Sequence, residues 1–204
     1  DDQLEAADTS TTLPDDWDDQ LEAAEEAQDT AQLLEMVTTC TTNGGNDEWT
    51  DATESSLDAL FRIVKQGKTN DKMGVMIQTV YNALQAWQEE EAIVEVAVAC
   101  WGTLAHQVAT RDDKDESLDL PSSLDLSLLV TIMESFPDES TIQEQACLAV
   151  EGLALAHTPW KTALQALEST LKPQLQAAQN ERISNERNKA YPGRAAQALD
   201  ISLS

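Results

Sequence analysis

The sequence is poor in basic side chains: across 204 residues, 12 Lys and Arg stand against 38 Asp and Glu, a net charge of −26. Holding a phosphate backbone needs clustered Lys and Arg, so nucleic acid is not expected as a direct partner. Apolar runs such as Ala97–Cys100 are short, far below the ~20 residues of a membrane-spanning helix. No basic stretch followed by an apolar one opens the chain, so no signal peptide is expected, and a start at Asp1 reads as a fragment or a processed form. Cys40, Cys100 and Cys147 are odd in number, lack CxxC spacing and sit among small or apolar neighbours. That pattern excludes a disulfide framework and predicts buried free thiols. The compartment it implies is reducing: cytoplasm, nucleus or an organelle interior. His106 and His157 are the two histidines, too few and too far apart for a zinc motif. Each follows a Leu-Ala pair, and a polar cap near a helix C-terminus is the role expected of both.

Chemistry-bearing motifs are missing too. There is no GxSxG, no Gly-rich phosphate loop and no Walker sequence. The stretch from Asp113 to Asp119 begins like a calcium loop, but Leu118 stands where the turn needs Gly and Leu124 where a bidentate Glu belongs. A loop begun at Asp47 fails likewise, with Ala52 in the sixth position. No catalytic residue, cofactor or metal is assigned, and the chain is read as a non-enzyme.

What is present is a strong charge gradient and a helical pattern. Residues 1–61 hold 18 acids and no Lys or Arg, while from Lys172 onward five bases outnumber three acids. The acidic heptapeptide Asp1–Ala7 returns unchanged as Asp18–Ala24. The second copy has the marks of a helix start, with acids in the first turn followed by Ala-rich helix formers. Residues 1–30 read as an acidic, partly disordered extension, either a short docking motif or a solvated tail. Residues 31–179 read as helical repeats and 180–204 as a polar, mildly basic tail.

Within the middle segment, Leu57, Leu60, Phe61 and Val64 fall on one helical stripe, and Val75, Met76, Val80, Ala83, Leu84 and Trp87 repeat the spacing. Breakers at Asn43–Asn46, Gly67, Pro121, Pro137 and Pro159 separate the helices. The β-branched run Ala92–Val98 is the one candidate strand, but its continuation through Cys100, Trp101 and Leu104 predicts helix.

Three segments align in one register: Ala52–Val64, Ile93–Ala105 and Ile142–Ala154. Glu54, Glu95 and Glu144 share one column, and Ile63, Leu104 and Leu153 another, separated by 41 and 49 positions. The longer spacing accommodates the charged insert Arg111–Glu116. Such units cannot bury their apolar faces singly and must stack. The run Leu128–Met133, the turn Phe136–Glu139 and Ile142–Cys147 through Gly152-Leu153-Ala154 resemble an armadillo repeat, a motif HEAT repeats partly share. The resemblance is good over 126–154, fair over 82–105 and loose over 33–64. It implies an all-α, right-handed armadillo-like superhelix of stacked two- or three-helix repeats.

Peptide-binding members of that family place an Asn just before the "LA" of the third helix. Here those positions are Arg62, Thr103 and Gly152, so the amide ladder is not carried over. These three, with Trp101, are the candidate partner-binding residues; Trp87 and Trp101 either line the inner surface or fill the core. The expected function is a protein-interaction scaffold that docks a basic polypeptide segment, with a structural subunit of a larger assembly as the alternative and, behind it, an enzyme or metal protein with an unfamiliar helical site.

Overall fold

The computed structural model describes residues 12–43, 46–67, 73–111, 119–121 and 124–203. The first heptapeptide copy, the Gly44-Gly45 turn and most of the charged insert lie outside them. Among the described residues every regular element is helical.

Short polar side chains start several of these helices by accepting from orphan N–H groups. Asp29 Oδ1 accepts from the N–H of Ala31 and Gln32, each at 3.1 Å, opening α2 (Thr30–Asn43). Asn46 Oδ1 accepts from Trp49 N–H at 3.1 Å and opens α3 (Asp47–Lys65), whose acids in the first turn and bases in the last suit the helix dipole. Gly67, at φ +69°, turns the chain after α3 in a left-handed conformation that glycine adopts without strain. Then come α4 (Met73–Ala86) and α5 (Glu91–Thr110). The run Ala92–Val98 is thus helix, as expected. Asp125 Oδ1 accepts from Ser127 N–H at 3.0 Å to open α6 (Ser127–Ser135), and α7 (Ser140–Ala156) follows the Pro137 turn. Pro159 occupies the first turn of α8 (Thr158–Ala166), where its missing N–H is harmless.

The helices pack in two rows. In one, α3 lies against α5 and α5 against α7; in the other, α2 packs on α4, and the rows meet through α2–α3, α4–α5 and α6–α7. The α5–α7 contact is the most extensive, and small residues make it possible. A Cβ on Gly102 would stand 3.1 Å from the backbone N of Ala149, and one on Gly152 3.0 Å from the backbone N of His106. By length and hydropathy α5 resembles a membrane-crossing helix. Here it is the central core helix, with Ile93, Val94, Ala97, Val98, Cys100, Trp101 and Leu104 fully buried.

Helices at both ends pack against the rest of the described residues. Residues 17–27 form α1 (Trp17–Ala27), which docks on α2 and α3 through buried Trp17 and Ala24; Trp17 meets Trp49 edge to face at 5.9 Å. The helix start read at the second heptapeptide copy is present, and one tryptophan and a buried alanine seat this acidic helix. At the other end, α9 (Glu168–Ala177), a π-helical stretch (Ala178–Arg182) and α10 (Tyr191–Ala198) fold back, α10 lying on α7 as the next member of its row. Ile183, Pro192, Ala195, Ala196, Leu199 and Ile201 are buried there.

Candidate interaction surface

The functional candidates from the sequence do not converge. Trp101 is fully buried against Tyr81, ring centroids 5.8 Å apart. Gly152 is buried where α7 meets α5. Neither offers surface to a partner, because both positions face contacts between neighbouring helices. Arg62 is exposed but engaged: its guanidinium pairs with Asp58 at 2.5 Å and with Glu25 of α1 at 2.6 Å, stapling α1 to α3. Thr103 is half-buried and its hydroxyl donates to the Ala99 carbonyl at 2.8 Å, a bond internal to α5. Trp87 is partly buried against the core.

The aligned glutamates behave differently. Glu95 on α5 lies close enough to Glu91, to Glu139 before α7 and to Glu54 on α3 for all three to act on its carboxyl. Partial burial first, then repulsion from Glu91, Glu139 and Glu54, raises its pKa above the ordinary glutamate value. Among the described residues none of these four carboxylates has an ion-pair partner. α3, α5 and the residue that precedes α7 thus present a band of unneutralised acid.

Glu144, the α7 member of the column, is held. Its Oε2 accepts from Asn188 Nδ2 at 2.6 Å, and Ser140 Oγ donates to its Oε1 at 3.4 Å. Two turns on, Glu151 Oε1 accepts from Arg194 Nε at 2.9 Å, and its Oε2 lies 3.6 Å from His106 Nε2. Sequence reasoning found the Glu54, Glu95 and Glu144 column but missed Glu91, Glu139 and Glu151, since their proximity depends on how the helices are staggered. It also misplaced His106. The helix runs on to Thr110, so His106 lies inside α5 facing α7, not at the end. His157 does sit at the junction of α7 and α8, edge-on to Trp160 at 5.0 Å, and burial lowers its pKa.

All three cysteines are buried and free. Burial pushes the Cys40 thiol up to about 11, and Cys100 and Cys147 higher still, so none is poised as a nucleophile. Among the described residues no three His, Cys, Asp or Glu side chains converge as a metal site would require. Compared with known proteins, the chain matches no family model, no curated protein and no solved structure.

Proposed function

We propose that the protein is an armadillo-like scaffold, a right-handed superhelical stack whose α3–α5–α7 face docks a basic polypeptide segment through Glu54, Glu91, Glu95 and Glu139. One observation carries this reading: the Glu95 carboxyl, raised by partial burial and then by repulsion from three neighbouring carboxylates, has no cation beside it among the described residues. Two unit charges about 8 Å apart in water repel by roughly 0.5 kcal/mol. A cation brought to the band relieves several such terms at once, and the surrounding negative field speeds its arrival. The contact pattern supports stacking, since helices one repeat apart touch in sequence.

A fluorescein-labelled nona-arginine peptide, followed by anisotropy, tests the proposal. The wild-type chain should bind with an affinity that falls steeply as salt is raised. Glu54→Gln/Glu95→Gln should weaken binding roughly tenfold at low salt. Affinity indifferent to both salt and the double substitution would sink the reading.

A further inference from the structure

Four cations lie within residues 182–194: Arg182, Arg187, Lys189 and Arg194. That segment rests on α7. Ser184 donates to Ser140 Oγ through its backbone N–H at 3.0 Å and its hydroxyl at 3.1 Å. Asn188 donates to Glu144 and Arg194 to Glu151, as described above. Ser140, Glu144 and Glu151 follow at i, i+4 and i+11, one face of the helix. Arg194 satisfies only one oxygen of Glu151. The other is buried without a hydrogen bond, on a side chain 9% exposed. Residues 183–190, which carry Ser184 and Asn188, belong to no helix, and the buried face of α10 is made of the small side chains Pro192, Ala195 and Ala196.

We propose that residues 184–194 are an intramolecular occupant of the acidic face, which a basic partner must displace to reach Glu144 and Glu151. The proposal rests on the reading that this face docks a basic segment. Its ground is that the chain's own most basic stretch already sits at the α7 end of the glutamate column. Ile183 and the buried face of α10 anchor the two ends of this segment, but between them residues 184–190 are exposed or half-buried and held by the polar contacts of Ser184 and Asn188, so this stretch opens more readily than the helices beside it. An occupied seat lowers a partner's apparent affinity by the fraction of molecules in which it is free.

The experiment uses the full chain and the nona-arginine probe. Asn188→Ala/Arg194→Ala should bind roughly five- to tenfold more tightly than wild type. Arg187→Ala removes one cation without freeing the seat, because among the described residues the exposed Arg187 guanidinium makes no hydrogen bond or ion pair with α7, and should change affinity less than about twofold. In the wild-type chain, saturating probe should speed amide exchange over 184–198 while leaving α5 unchanged, a readout that needs no variant. Equal affinity of wild type and Asn188→Ala/Arg194→Ala, or an equal gain from Arg187→Ala, overturns displacement and leaves the docking face standing. Unchanged exchange over 184–198 at saturation does the same. Failure of every form to bind the probe overturns both proposals.

Discussion

Gly74 on α4 lies directly beneath the backbone of Asp119 and Leu120, where a Cβ would overlap the Asp119 carbonyl. The described residues that follow are tied down. Trp160 Nε1 donates to the Pro121 carbonyl at 2.9 Å, and Asp125 N–H donates to the Tyr81 hydroxyl at 3.3 Å. Replacing a helical glycine with alanine gains about 1 kcal/mol of helix preference. Pushing a pinned backbone aside costs on the order of 1–3 kcal/mol and wins. Gly74→Ala should therefore lower the melting temperature by about 2–5 °C. At Gly102 the nearest backbone atom would be 3.1 Å away, so a shift of a few tenths of an ångström relieves the contact. There the two effects nearly cancel, and Gly102→Ala should melt within about 2 °C of wild type. Parallel thermal unfolding of both variants decides between these accounts.

α1 shows which forces seat an acidic helix on an acidic molecule. Its Arg62–Glu25 ion pair is half-exposed, and such pairs contribute about 1 kcal/mol or less. Truncating a buried tryptophan costs ~3–5 kcal/mol. Trp17→Ala should thus bring amide exchange over 17–27 close to that of an unfolded peptide while protection in α5 persists; Arg62→Ala should leave α1 docked.

Helices of the middle segment were legible because their apolar residues recur with helical spacing over many turns, as Leu57, Leu60 and Val64 do on α3. The docking of α1 and α10 was not. In α1 the acids outnumber two buried side chains, and α10 buries Pro192, Ala195 and Ala196, whose small size leaves almost no hydropathy signal. The repeat register exposed the glutamate column. It could not reveal that Trp101 and Gly152 point into the stack, because a column common to three segments can mark a core position as readily as a surface one.

For the molecule as a whole, a net charge of −26 makes self-repulsion a standing cost of the compact state. Glu95 feels it locally through Glu91, Glu139 and Glu54, in addition to the larger effect of its own partial burial. Its folded pKa lies above the ordinary value of 4.5, so the folded form binds the proton more tightly than the unfolded form. Stability from this group therefore falls as pH rises from the ordinary value through the folded one, and the penalty is full at neutral pH. Glu95→Gln removes it. The variant should melt roughly 1–2 °C higher than wild type at pH 7, with the difference fading as pH falls to about 4. A lower melting temperature at pH 7 would contradict the assigned cause. The same substitution should weaken capture of the basic probe, so stability and binding move in opposite directions.

The near-contact of Gly152 with the α5 backbone has a consequence for recognition. A Cβ at that spot would stand 3.0 Å from the Ala105 side chain and from the His106 main chain, so a large side chain there would prise the two helices apart. The close approach thus fixes, to within a few tenths of an ångström, the interval at which Glu95 and Glu139 are carried. A ligand that reads them must bring cations at the matching interval.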